Sequence, residues 1–335
     1  MNWEDYKAEI EKAGKLDEDL YILGIDLGTT NSIISYWDNI NHKPEPIDIS
    51  NGFGKIPLPS VVQYRKEDDE PEGEWVIGEE AYRSMKIYPE TTIRSIKRKM
   101  GTNETILLDG KEYMPEEISA KIITELMEHV RSLNPKAEIA GLVVSVPYDF
   151  DDAAKKATMR ICELAGLSEQ LICLIEEPKA AALAYNFRHQ LDQDEKIMVF
   201  DFGGGTLDIT LFHVVEKNDS KIRLQVISEG GEAYHGGDNI DELLLEKCFE
   251  FIYNKTKQIK EDIAIENQVE LIVRAREAKE RLSGVKSFRL PFTFCIPPFV
   301  EQVTRESFEE LIRDFKEKTR KLVLKALREA YIGSI

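Results

Sequence analysis

Residues 196–208 read KIMVFDFGGGTLD. The apolar run at 197–200 has the length and composition of a buried strand, and Asp201 closes it. Gly203, Gly204 and Gly205 follow, then Thr206 and a second acid, Asp208. Three consecutive glycines strip every Cβ from a turn, so backbone N–H groups can press against a ligand. Successive N–H groups of this kind form an anion-binding concavity, and the usual anion is phosphate. Two carboxylates beside such a cradle would repel that anion. A divalent cation resolves the conflict, and Mg²⁺ prefers a few carboxylates with retained waters. The residues point to a Mg–nucleotide site; read alone, the same letters suit an ordinary Gly-rich hairpin turn equally well.

A second copy tips that balance. Residues 21–32, YILGIDLGTTNS, repeat the grammar: an apolar strand, an acid (Asp26), a glycine turn (Gly28) and hydroxyls (Thr29, Thr30). Each copy runs on into alternating residues, 33–37 and 207–214, which read as the second strand of a hairpin. The two acids lie 175 residues apart, far beyond any solenoid repeat. The spacing suits two similar domains facing each other, each donating one phosphate loop to a shared cleft.

Composition narrows the classes. A chain of 335 residues accommodates two domains. A net charge of −18 and a pI near 4.9 argue against a nucleic-acid binder, which carries a basic patch; the acidity reads as a well-solvated surface. No apolar stretch approaches the roughly 20 residues of a membrane span. Residues 1–19 are acidic and lack the apolar centre of a signal peptide, so they read as an extension with a short helix. Cys162, Cys173, Cys248 and Cys295 are scattered without CxxC spacing, which suggests buried, reduced thiols and a cytoplasmic protein.

Along the chain, strands are expected at 57–64, 75–78, 142–146, 171–175, 221–228 and 288–296. Helices are expected at 79–88, at 116–133 from the spacing of Ile118, Ile122, Ile123, Leu126 and Val130, from Asp151 or Asp152 to Gly166, after Pro178, at 239–263 and 264–282, and from Thr304 to about 331. Residues 39–54 and the acidic 67–74 read as loops. Lys97 by itself reads as a surface lysine. Glu177 falls where a strand ends and a helix begins, the location of ligand crevices in α/β sheets. Strands alternating with helices give an α/β class.

Taken together these motifs resemble the nucleotide-binding domain of the 70-kDa heat-shock chaperones (DnaK type), within the actin-like ATPase superfamily. IDLGTTNS resembles the family's first phosphate loop and FDFGGGTLD its second. SVPYDFDDAAKKAT resembles its interdomain hinge, with Pro147 and Lys155. EEPKAAALAY resembles a family helix start, and SIKRKMG the segment of the catalytic lysine, here Lys97. IPLPSVV and EAYHGGDNID also fit.

The resemblance implies an actin-like ATPase fold: two lobes of duplicated βα domains around a nucleotide cleft, in four subdomains. Lobe I would span 20–190 with an insertion at 51–116, and lobe II 191–335 with an insertion at 236–301. It implies binding of ATP or ADP with Mg²⁺. Asp26, Glu177 and Asp201 would hold the metal's hydration shell. Thr29, Thr30, Asn31, Gly203, Gly204, Gly205 and Thr206 would cradle phosphates, with Gly28 shaping the first loop. Lys97 would orient the attacking water, and Asp208 with Thr206 would support water or a monovalent ion such as K⁺. Gly236 and Gly237 would approach ribose and phosphates, and Lys279 and Ser283 the adenosine. Expected partners are a J-domain co-chaperone and a nucleotide-exchange factor, with unfolded polypeptide bound only through a domain outside these residues.

Arg276 stands where the family has an acid for the ribose. Lys155 stands where it has arginine, and the two are not equivalent at a bidentate contact; Asp149 replaces an aromatic. The resemblance also implies that the last helix stops just before the strand and glycine turn that cover the adenosine. The C-terminal part of lobe II is thus expected to be missing; either ATP is distinguished weakly from GTP, or the residues are a piece of a longer chain with an ordinary adenosine pocket. Two other classes use this fold, an actin-like filament-forming ATPase and a metabolite kinase.

Overall fold

A computed structural model describes residues 20–38, 41–49, 54–66, 73–167, 172–218 and 222–332. The expected N-terminal extension at 1–19 and most of the acidic loop lie outside the described residues. The chain divides into two compact units, one formed by Met1–Arg83 and Thr91–Leu183, the other by Ser84–Glu90 and Ala184–Ile335.

The first unit is built on a six-stranded sheet ordered Ile172–Glu176, Glu138–Val146, Leu20–Leu27, Asn31–Asp38, Lys43–Pro46, with Leu58–Pro59 also on Asn31–Asp38. Leu20–Leu27, Glu138–Val146 and Ile172–Glu176 run parallel, and the rest pair antiparallel. The helix Pro115–Leu133 turns Ile118, Ile122, Ile123, Leu126 and Val130 inward, the stripe its 3.6-residue period dictates. These side chains pack with Leu23, Ile25, Leu142 and Val144 in one core. Asp151 caps the helix Asp152–Leu164 by accepting from the Ala154 N–H. Gly166 ends that helix segment at φ +82°, a conformation glycine adopts at no steric cost.

The strand expected at 57–64 is two short ones, Leu58–Pro59 and Val61–Arg65, broken at Ser60. Ser60 is buried and its hydroxyl donates to the Gly28 carbonyl at 2.8 Å. The helix expected at 79–88 ends at Ser84. Cys173, expected to be buried, is exposed, because Ile172–Glu176 is the edge strand of the sheet.

In the second unit Lys196–Phe202, Thr206–Lys217 and Ile222–Ala233 form an antiparallel sheet. Its central strand packs Leu207, Ile209 and Leu211 against Ala326 and Ala330 of the helix Arg313–Ile332. A larger core joins the helices Gly237–Thr256 and Ile265–Leu282 to the hairpin Ser287–Phe292/Phe299–Thr304 through Leu244, Ile252, Leu271, Leu282 and Phe292.

Here too the structure corrects the sequence reading. The run 197–200 was expected to be buried, yet Met198, Phe200 and Phe202 are 39–44% exposed; they pair with Leu211, Ile209 and Leu207 on the face that carries the helix Arg313–Ile332, on an edge strand that the helix covers incompletely. The single long C-terminal helix is two, Arg305–Leu311 and Arg313–Ile332, parted at Ile312. Thr304 caps the first of them by accepting from the Ser307 N–H. No helix among the described residues is long and apolar enough to cross a membrane.

Candidate nucleotide site

In the first unit the parallel strands place three expected residues along one sheet edge. Asp26 is in register with Ser145, and Ser145 with Ile175. Asp26, Pro147 and Glu177 therefore sit at or just beyond the carboxyl ends of adjacent parallel strands, where open α/β sheets bind ligands. The Ser145 hydroxyl donates to Asp26 Oδ1 at 2.8 Å.

Asp26 faces Ile33 and Leu27 faces Ser32 across the hairpin, leaving Gly28, Thr29, Thr30 and Asn31 as the turn. A Cβ on Gly28 would stand 2.1 Å from the Asn31 carbonyl oxygen, so only glycine fits there. Thr30 Oγ1 is buried and no hydrogen-bond partner among the described residues reaches it. A buried hydroxyl normally finds a partner, and this one lies in the turn expected to hold phosphate.

Lys97 is not the surface lysine its local sequence suggests. It lies on the 3-10 turn Ile96–Lys99, entered through a left-handed Ser95 and anchored by buried Ile96. Its Nζ meets Glu177 Oε1 at 2.5 Å, and the two side chains are only 10% and 16% exposed. The Phe150 ring centroid lies 5.9 Å from the same Nζ, inside the range of cation–π attraction. Glu177 opens the helix Glu177–His189 directly after the strand Ile172–Glu176, with Pro178 next. Pro147 follows the strand Glu138–Val146, and its carbonyl accepts the Phe150 N–H at 3.3 Å. Lys155 is half-buried in the first turn of the helix Asp152–Leu164.

The second unit repeats the hairpin in the same register. Asp201 faces Asp208 and Phe202 faces Leu207, leaving Gly203, Gly204, Gly205 and Thr206 as the turn. The Gly203 N–H donates to the Thr206 carbonyl at 3.1 Å. The Thr206 hydroxyl donates to Asp208 Oδ2 at 3.0 Å.

A second glycine loop lies on this turn. Gly237 N–H donates to the Gly203 carbonyl at 2.9 Å and Asp238 N–H to the Gly204 carbonyl at 2.8 Å. A Cβ on Gly236 would stand 2.5 Å from the Gly204 oxygen. The helix Gly237–Thr256 begins at this contact and brings the positive end of its dipole there. Lys279 donates to the Gly237 carbonyl at 2.9 Å and pairs with Asp241 at 2.7 Å, tying the loop to the helix Ile265–Leu282. Burial pushes the Asp241 carboxyl up from its ordinary range, with Lys279 opposing. Ser283 is exposed at the C-cap of Ile265–Leu282, and its carbonyl accepts from Arg305 at 3.2 Å. Arg276 is bonded to Glu280 at 3.2 Å.

Among the described residues no three His, Cys, Asp or Glu side chains cluster as direct metal ligands would. Asp26 and Glu177, at the carboxyl ends of strands of one sheet, are the one or two carboxylates that a hydrated Mg²⁺ uses beside phosphate. Sequence reasoning missed Ser145, Ser60 and Phe150. Each is an unremarkable letter until strand register or packing brings it against Asp26, Gly28 or Lys97.

An α/β fold carrying a duplicated acid–glycine hairpin defines the actin-like ATPase class. The family model described as Hsp70 protein matches residues 22–107 and 102–334, and the chain belongs to the Hsp70 family. It is 34% identical over 323 residues to the chaperone protein DnaK of Ureaplasma parvum serovar 3, covering 94% of this chain and 50% of that protein. It is 36% identical over 326 residues to the chaperone protein DnaK of Thermotoga petrophila (93% and 51%). The corresponding protein of Thermosipho melanesiensis is 35% identical over 321 residues (92% and 50%). The chain thus spans about half the length of the curated relatives it matches.

Proposed function

We propose that this chain binds ATP with Mg²⁺ and hydrolyses it to ADP, as the nucleotide-binding module of a DnaK-type chaperone. The observation that carries the reading is the duplicated hairpin. Two strands, one in each unit, carry an acid one residue before their end, turn through four residues starting with glycine, and return with identical register. A coincidental Gly-rich turn would not recur with its acid at the same step.

In this reading Gly28, Thr29, Thr30 and Asn31 and Gly203, Gly204, Gly205 and Thr206 take phosphate oxygens through backbone N–H and hydroxyl groups. The unpartnered Thr30 hydroxyl supports that role. Asp26, Glu177 and Asp201 bind waters of the metal. When bound, Mg²⁺ neutralises phosphate charge in a displacement whose barrier depends on positioning and electrostatics. Lys97, released from Glu177, orients the attacking water. Asp208, oriented by Thr206, steadies that water or a K⁺ ion. Gly236 and Gly237, held by Lys279, meet ribose and phosphate, and Ser283 lies toward the adenosine. Pro147 and Lys155 pass the nucleotide state to partner surfaces. Those partners are a J-domain co-chaperone and a nucleotide-exchange factor, with unfolded polypeptide handled by a region outside this sequence.

Isothermal titration of ATP with excess Mg²⁺ and with excess chelator tests the reading. Acids facing a polyphosphate require the cation to offset repulsion, so binding should be strong only with Mg²⁺. Equal affinity in both conditions, or none in either, would sink it.

A further inference from the structure

The nucleotide reading leaves one buried titratable group beside the site without a task. His235 immediately precedes the glycine pair and is 3% exposed. Its ring stacks on Phe315 at 3.8 Å between centroids, with planes 9° apart. Its Nε2 lies 2.8 Å from Thr319 Oγ1. The Thr319 hydroxyl already donates to the Phe315 carbonyl at 3.0 Å, so its oxygen accepts and His235 Nε2 carries the proton. The neutral ring therefore holds its lone pair on Nδ1. Phe315 and Thr319 both belong to the helix Arg313–Ile332.

The backbone shows what this anchor works against. Tyr234 stands at φ +59°, a left-handed conformation that is uncommon for a bulky residue and persists only where the surroundings hold it. It follows the strand Ile222–Ala233 directly, and His235 after it is buried. The next residues are Gly236 and Gly237, hydrogen-bonded to the Gly203–Gly204 turn.

We propose that His235 is a positioning residue for the Gly236–Gly237 loop, pinning it to the helix Arg313–Ile332, and that this pin releases on protonation and weakens nucleotide binding. The proposal rests on the nucleotide reading of that loop only for its second clause. A second proton on Nδ1 would put a charge where burial strips its water, a cost that the face of the Phe315 ring opposes only in part. The charged groups facing the ring are Lys318, on the helix, and Glu232, at the end of the strand. They pair with each other at 2.9 Å, so Glu232 is already engaged by a cation. Burial, and then Lys318, hold the imidazole below its ordinary value of 6.5, with Glu232 opposing. The open loop, with His235 in water, binds a proton more readily than the closed one. Acidification through the ordinary histidine range therefore favours the open form.

The test measures amide hydrogen exchange of residues 236–238 in the full chain between pH 5.5 and 7.5, corrected for intrinsic rates. Affinity for Mg–ADP is measured in parallel. Wild-type protection at 237 and 238 should fall several-fold from pH 7.5 to pH 5.5, because the closed loop takes up the proton less readily than the open one. Where Mg–ADP binds, its affinity should fall in step. His235→Gln, a side chain without a titrating proton, should flatten both profiles. Thr319→Val, which removes the hydrogen-bond acceptor and leaves the ring stack, should lower protection at every pH. Its far-UV circular dichroism at pH 7.5 controls for folding. Loop protection in the wild type that is independent of pH, or equally dependent in His235→Gln, would overturn the pin. Because exchange is read without nucleotide, a chain that failed to bind Mg–ADP would still confirm or refute it.

Discussion

Lys97 and Glu177, 80 residues apart in sequence, form an ion pair at 2.5 Å between a 3-10 turn and the first residue of a helix. A charge taken this far from water is costly unless paired, so each side chain fixes the other's position. The partner of the lysine is itself one of the acids assigned to the metal shell. In the proposed site the lysine is thus neutralised by a residue that a hydrated metal would also claim.

Lys97→Ala should slow single-turnover ATP hydrolysis about 10²- to 10³-fold, the scale of losing one contact in a preorganised site. It should also destabilise the fold, by less than the roughly 3–5 kcal/mol for a fully buried pair because water reaches both groups. Adding Glu177→Gln to that variant should recover stability and not activity, a non-additivity that denaturant titration of the four species measures.

Gly236→Ala should reduce nucleotide affinity at least about tenfold, because its Cβ would lie 2.5 Å from the Gly204 oxygen and two backbone segments would have to part. Gly110→Ala is the comparison. Gly110 has φ +75° and open space around it, so that change should cost about 1–3 kcal/mol of backbone strain and leave affinity alone. Calorimetric titration beside thermal melts separates the two. Equal affinity losses would mean that close approach at Gly236 is irrelevant to binding.

The four cysteines should divide three to one on alkylation of the native chain. Burial pushes the Cys162 and Cys248 thiols up to about 12 and raises Cys295, whereas Cys173 is exposed. Only the thiolate reacts, so mass spectrometry after iodoacetamide at pH 8 should find Cys173 modified first. Comparable labelling of Cys162 would show that the core around it opens readily.

Glu79 should contribute to acid sensitivity. Its hydrogen bond from Lys55 holds the carboxyl below the ordinary 4.5, with burial opposing and Arg83 assisting. A depressed carboxylate stabilises the fold above its unfolded value and loses that contribution as pH falls through the folded one. Lys55→Gln should therefore be less stable than wild type at pH 7, and the gap should narrow as pH falls below the ordinary 4.5. The pair is partly exposed, so the gap is small. A gap that does not change with pH would assign it to packing.

What the sequence disclosed was governed by local pattern. The period of Ile118, Ile122, Ile123, Leu126 and Val130 located a buried helix, and Asp151 offered a cap that the structure uses. The acid–glycine hairpins were visible because turn chemistry is encoded in adjacent residues. Exposure along Lys196–Phe202 and Ile172–Glu176 was not, since an apolar strand reads the same at a sheet edge as at its centre. The strand Phe299–Thr304 was hidden by the Pro297-Pro298 break before it and by the polar letters Glu301 and Gln302. Burial of Lys97 depended on Glu177, a long-range partner that no local window contains.

The parallel pairing of Leu20–Leu27 with Glu138–Val146 also sets a schedule during synthesis. The hairpin of Leu20–Leu27 with Asn31–Asp38 closes a short loop and can form as soon as it leaves the ribosome. Asp26, however, gains its Ser145 partner only across 119 residues, and Glu177 reaches Lys97 later still. Pairings that close such long loops are slow, and unpaired strand edges invite wrong partners in the interval. The Gly28–Asn31 turn is therefore shaped early, Asp26 is completed when the second parallel strand brings Ser145, and Lys97 waits for the residue that follows the third. A nascent chain halted before residue 177 would carry the turn, Asp26 and Ser145, and would leave Lys97 without its Glu177 partner.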